Sequence, residues 1–341
     1  MKVLGYQWSV ISKGISKGGL CLALCSLLFT FSFSADAQQP EKIPRIGFLI
    51  GPSLDANAAR IAALRQGLRD LGYIEGKNIA FVLRSADGKL DRLPALTAEL
   101  LHLKVDIILS AGPTVTRVLS EATSTIPIVM VQDTDPVGNK FVSSLARPGG
   151  NITGLSTLSP EISGKQLELL KEIIPRLARV AGIGESTNPG IAQSVKETQR
   201  AGEALKVQFQ FIDVKDLAAI EPSFRTAANN RVDAMLIMGG PILNSDRKQV
   251  VDLATKWRAP AMYNEQGFVE VGGLMTYSVS FAHLHRRSAT YIDKILKGRA
   301  PADLPVEQPT KFEFIINLKA AKQIGLTIPP NVLARADKVI R

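Results

Sequence analysis

Two α/β lobes, each a parallel sheet covered by helices, are what the sequence predicts. Three observations lead there. Short β-branched runs alternate with amphipathic stretches from residue 45 to residue 257, the pattern of strands joined by crossover helices. A concentrated turn signal, Arg147-Pro148-Gly149-Gly150-Asn151, interrupts that alternation, and the same plan restarts behind it. The chain of 341 residues also exceeds what a single hydrophobic core usually organises.

Taken in order, 45–50 reads as a strand and 56–71 as a helix, with Ile61, Leu64, Leu68 and Leu71 on one face. Residues 78–83, 105–109 and 127–131 read as strands, and 91–103 and 114–122 as helices. The third strand is apolar enough to be covered on both faces. Behind the turn signal, 152–157, 180–183, 207–214 and 234–238 are strand-like. Helical stretches at 164–177, 192–205, 217–228 and 247–257 lie between and after them. A helix at 286–296 ends at Gly298, a connector stiffened by Pro301, Pro305 and Pro309 follows, and a strand (312–316) and short helix (318–324) close the chain. The two series share a pattern but no sequence repeat.

The N-terminus reads as a secretory leader over 1–37. Lys2, Lys13 and Lys17 give a positive start, residues 20–33 an apolar run, and Ala35-Asp36-Ala37 the small residues of a cleavage site after Ala37. The apolar run is short for a membrane span. Cys21 and Cys25 both fall inside the leader, so the mature chain has no cysteine for disulfides or thiolate metal sites. Leu20 and Leu24 precede them, where a lipid anchor needs a small residue. Loss of three lysines and one aspartate takes the net charge from +10 to +8. The basic residues are scattered with few aromatics among them, which is a solvated surface rather than a nucleic-acid footprint.

Chemistry on a substrate finds little support. His102 ends an amphipathic helix, and His283 and His285 stand two apart, so on a helix they diverge and make no metal pair. Residues 72–77 fall one short of a phosphate-binding loop, and there is no G-x-S-x-G elbow. Asn151-Ile152-Thr153 matches a glycosylation sequon but needs no glycan as a turn into a strand. No cofactor is expected.

Several segments together resemble the family of ABC-transporter substrate-binding proteins that includes tryptophan and aromatic amino-acid binding members. They are Asp135-Pro136-Val137-Gly138, Ser144-Leu145-Ala146-Arg147-Pro148-Gly149-Gly150-Asn151-Ile152-Thr153-Gly154 and Gly272-Gly273-Leu274-Met275-Thr276-Tyr277. Ile295-Leu296-Lys297-Gly298, the run from Pro301 to Phe312, and Leu326-Thr327-Ile328-Pro329-Pro330 complete the set. The resemblance implies a type I periplasmic-binding-protein fold, with two parallel-sheet, Rossmann-like lobes joined by three hinge crossovers. The N-terminal lobe would take 38–155 plus about 277–305, and the C-terminal lobe 156–276 plus about 306–341. It implies a monomer in the periplasm that captures a small molecule, an amino acid by analogy with the named members, and hands it to a membrane permease. A sensory module that presents ligand to a receptor would share the fold. The run 278–287 departs from the family pattern, which bears on specificity.

Ligands of parallel α/β sheets bind beyond the carboxyl ends of the strands. That selects the loops holding Ser53, then Ser110, Gly112 and Thr114, then Asp133, Thr134 and Asp135 in the first lobe. In the second it selects those holding Asn188, Gly240 and Asn264. Ser110 to Thr114 leads these candidates, because a glycine-containing loop that opens a helix presents free N–H groups backed by the helix dipole. The same features also serve as an ordinary cap. Asp133 or Asp135 would accept from a ligand ammonium, or cap a turn. Tyr263 and Phe268 would stack on an aromatic ligand, or fill core.

Overall fold

The computed structural model describes residues 42–310 and 312–341; the expected leader, with Cys21 and Cys25, lies outside the described residues. Along the first lobe β1 (Arg45–Ile50), α1 (Leu54–Asp70), β2 (Ala80–Ser85), α2 (Leu93–His102), β3 (Ile107–Ala111), α3 (Pro113–Ala122), β4 (Ile128–Asp133) and β5 (Ile152–Ser156) follow one another. The five strands form a wholly parallel sheet in the order β2-β1-β3-β4-β5. Side chains alternate across it as a pleat requires. Ile46, Phe48 and Ile50 enter one core together with Leu64 and Leu68 of α1, while Leu49 enters the other with Leu96, Leu100 and Leu119 of α2 and α3. Both faces are therefore dry at β1, β3, β4 and β5, which is why these strands read as near-continuous apolar runs, while the edge strand β2 is half-buried.

The second lobe repeats the plan with α4 (Ser159–Ile173), β6 (Arg179–Gly184), α5 (Ile191–Leu205), β7 (Gln208–Asp213), α6 (Ile220–Asn229) and β8 (Ala234–Gly239). It continues with α7 (Pro241–Ser245), α8 (Arg247–Lys256), β9 (Ala261–Tyr263), α9 (Gln266–Glu270) and β10 (Met275–Val279). Helix α10 (Phe281–Leu296) returns to the first lobe and lies on α1. The chain then adds β11 (Phe312–Asn317), α11 (Leu318–Gln323), α12 (Pro330–Leu333) and β12 (Lys338–Ile340) to the second sheet. Its order is β12-β11-β10-β9-β8-β6-β7. The β10–β11 pair is antiparallel, with Met275 opposite Ile316 and Val279 opposite Phe312, so this sheet is parallel except at that one seam. Strands β9, β10 and β12 and helices α7, α9 and α12 are the elements that periodicity did not single out; most span three to five residues, too few to show a period.

Three segments pass between the lobes: one after β5, one at Ser280, and one from Leu304 to the start of β11. The second crossing comes a few residues later than position 277, because β10 stays hydrogen-bonded between β9 and β11. The third is stitched to the first lobe through Glu307: its N–H reaches the Gly154 carbonyl (3.0 Å), and its own carbonyl accepts from Ser156 (2.9 Å). Arg287 of α10 grips the Glu307 carboxylate with two bonds of 2.8 and 2.9 Å. No described helix is long and apolar enough to cross a membrane.

Candidate functional site

In each lobe the sheet order reverses direction beside its first strand, between β1 and β3 and between β6 and β8. Loops diverge at such a switch point and leave a crevice at the carboxyl edge. The two crevices face each other. Strand β3 leaves through Gly112-Pro113 into α3, and β8 leaves through Gly240-Pro241 into α7. Gly112 (φ +104°) and Gly240 (φ +135°) occupy backbone that a side chain disfavours, and proline at the first helical position costs nothing because its missing N–H would be unpaired there anyway.

Between these loops lies a cavity walled by both lobes. Pro52, Ala111 to Thr114, Gln132 and Thr134 come from the first; Asn188 to Ile191, Ser194, Met238, Gly240, Pro241, Asn244, Asn264 and Glu265 come from the second; Thr157, Ser159 and Phe281 come from the crossings. It offers about 80 Å³ to the centres of water-sized molecules, several times the ~10–15 Å³ that one water needs. A chamber of about 50 Å³ adjoins it beside Ser159, Asn264 and Phe281. The lobes meet around it: the Thr114 hydroxyl donates to Asn188 Oδ1 across the cleft at 3.0 Å.

Three helices of ten or more residues, α3, α4 and α5, begin at the cavity wall. In α3 the first helical bond runs from the Thr116 N–H to the Gly112 carbonyl at 3.0 Å, so the amides of Thr114 and Val115 have no partner within the helix. These ends give the wall a positive character suited to a carboxylate.

Among the described residues the cavity wall holds one ionisable side chain, Glu265. It is fully buried and ion-paired to Arg60 of α1 and Arg247 of α8. Arg60 also donates to Gln132 Oε1 (3.2 Å) and lies 4.5 Å over the Phe281 ring, and Arg247 reaches across to the Ala56 carbonyl. Burial works to raise the Glu265 carboxyl, but the two guanidinium groups outweigh it and hold it below its ordinary value. Burial lowers Arg60, opposed by Glu265. The group therefore stays ionised and ties the two lobes together behind the cavity.

Six of the ten expected residues, Gly112, Thr114, Thr134, Asn188, Gly240 and Asn264, line the cavity. The other four do not line it. Ser53 caps α1 by accepting the Ala56 N–H at 3.3 Å. Ser110 is fully buried against Thr116, which also bonds Asp133. Asp133 accepts the Thr134 N–H at 3.0 Å and is pushed up to about 7 by burial, which outweighs those two bonds. Asp135 (φ +47°) closes its turn by accepting the Gly138 N–H at 2.9 Å. Tyr263 and Phe268 stack on each other in the second core, ring centres 5.0 Å apart. Sequence reasoning placed Gln132 and Glu265 in strand-end loops without singling them out, and did not select Ser159, Ser194, Asn244 and Phe281; Asn244 follows Gly240 by one helical turn, which is the signal that would have found it. His285 is buried and bonds the Phe281 carbonyl (2.8 Å), burial and then Arg60 pushing it down to about 3. No described group of His, Cys, Asp or Glu is arranged to hold a metal.

Known proteins share this architecture. A tyrosine-binding protein of Clostridioides difficile (strain R20291) is 25% identical over 295 residues, spanning 85% of this chain and 83% of that protein. The ABC domain from Streptococcus pneumonia in complex with L-Trp superposes with a TM-score of 0.81 at 26% identity, covering 87% of this chain and 99% of its own. A conserved domain protein of Vibrio cholerae gives the same TM-score at 27% identity, covering 87% of this chain and all of its own. Residues 42–340 match the profile described as ABC transporter substrate binding protein. With two α/β lobes of the type I periplasmic-binding-protein fold closing on one polar cavity, the chain belongs to the ABC transporter substrate-binding proteins.

Proposed function

We propose that this chain is the exported solute-binding component of an ABC importer and that it captures an amino acid between its lobes. The observation that carries the reading is the cavity at the two facing switch points, where each lobe contributes backbone and side-chain hydrogen-bonding groups. The leader over residues 1–37 would direct the chain to the periplasm, and the mature monomer would present its closed surface to a membrane permease. Ligand first meets the open cleft. Closure then brings Asn188 to Thr114 and Glu265 to Arg60, so the closed state gains contacts that the open one lacks. The relatives that bind tyrosine and L-Trp support an amino acid as cargo.

Thermal unfolding of the protein, stripped of carried ligand by unfolding and refolding, tests this against the twenty L-amino acids, sugars, nucleosides and small acids. A ligand present at 100 times its Kd stabilises the folded state by about 2.7 kcal/mol and raises the melting temperature by a few degrees. The expected result is such a shift with an amino acid. A shift confined to another class would overturn the amino-acid reading and leave the importer role.

A further inference from the structure

Two side-chain oxygens at the cavity wall have no partner: Oδ1 of Asn244 and Oδ1 of Asn264. Both atoms are shielded from solvent, and Asn244 as a whole is 7% exposed. A buried acceptor left empty is a standing cost in a folded protein, so a pair of them on two residues that line one cavity marks where a donor belongs.

The orientation of Asn244 is set by its neighbour. Its Nδ2 faces Glu265 Oε2 at 3.4 Å. Reversing the amide would put oxygen against a carboxylate, so the carbonyl end is the one left over for the cavity. An amide that donates to a carboxylate is also polarised, and its oxygen becomes a better acceptor. Positive charge placed on that oxygen is thus relayed to Glu265 without touching it.

From this we infer that Asn244 and Asn264 form the ammonium subsite of the cleft, holding a primary ammonium by two amide oxygens on the second lobe while the start of α3 on the first lobe receives the carboxylate. The inference rests on the amino-acid reading given above and adds the chemical group and its receptors. An ammonium fits better than a hydroxyl because it carries three donors and a charge, whereas a hydroxyl satisfies one oxygen and leaves the other empty. The subsite is neutral: the charge of Glu265 is already claimed by two arginines. Recognition here is by hydrogen-bond count rather than by a free carboxylate.

The test is calorimetric titration of the purified protein with each of the twenty L-amino acids. The tightest is then compared with its own 2-hydroxy acid, in which a hydroxyl replaces the ammonium, and with its N-acetyl derivative. Both analogues are expected to bind roughly 10- to 100-fold more weakly. Asn264→Leu should lose a similar factor for the amino acid and little for the hydroxy acid, and Asn264→Asp should recover the amino acid, which a purely structural role would not produce. If Asn264→Leu fails to fold, the wild-type comparison still decides. Equal affinity for amino and hydroxy acid would overturn this inference and leave the amino-acid reading intact. Binding by none of the twenty would overturn both.

Discussion

Asp133 is an acid placed where no water reaches it, and Glu185 is its counterpart in the second lobe. Glu185 sits at the end of β6 and accepts the N–H groups of Ile242 and Leu243 at 2.8 and 3.0 Å, anchoring the start of α7. Burial pushes Asp133 up to about 7 and Glu185 up to about 8, against the bonds that each accepts. A carboxyl whose folded pKa is raised binds its proton more tightly folded than unfolded. Its contribution is full below the unfolded value near 4 and is lost as pH rises through 7 and 8. Buried His285, pushed down to about 3, works oppositely, and its effect is complete above about 6.5, the unperturbed histidine value. Between pH 6.5 and 8.5 stability should therefore fall as pH rises. Asp133→Asn, which keeps the acceptor for Thr134 and stays neutral, should flatten that fall by about 0.7 kcal/mol per pH unit near pH 7, where Asp133 is half-protonated. Urea unfolding across this range reads the slope; an unchanged slope in Asp133→Asn would mean that Asp133 is ionised throughout.

At the level of elements, the two strand–Gly–Pro–helix turns carry the site, and they are not equivalent. Both glycines hold backbone that costs a side chain about 1–3 kcal/mol. A Cβ on Gly112 would find its nearest neighbour at 4.0 Å, the Gln132 carbonyl. One on Gly240 would lie 2.2 Å from the Glu185 carboxyl carbon. Gly112→Ala should thus cost the backbone term alone, and Gly240→Ala should cost a further 1–3 kcal/mol, roughly, of overpacking. Denaturant midpoints compare them directly, and equal losses would contradict the tight seating of Glu185 under α7. These turns were legible beforehand because Gly-Pro after an apolar run has a physical reason to be there. The short elements α7 and α9 were not, since five residues show no period and their helical state is fixed by tertiary contacts such as those of Glu185.

For the molecule as a whole, the alternation of strands and helices was readable because the central strands are buried on both faces and each long helix shows one apolar stripe. The antiparallel seam at β10 and β11 was not, because strand direction leaves no mark on composition. The candidate site was legible as loops and less so as side chains. Strand-end loops can be counted from sequence, whereas the sense in which Ser110 and Asp133 turn, inward to Thr116 and away from the cavity, depends on the pleat at the last residues of β3 and β4. Arg60 and Glu265 lie 205 positions apart and meet across the two lobes. On the function proposed above, the two lobes enclose a ligand between them. Calorimetric titration with the twenty L-amino acids, on the wild type and on Thr114→Trp, tests it most directly: indole at position 114, beside Asn188, fills the cleft and props the lobes apart. One-to-one binding by the wild type and its loss in a Thr114→Trp protein of unchanged secondary structure is the predicted result. The same affinity in both would place the ligand outside the cleft and contradict the account.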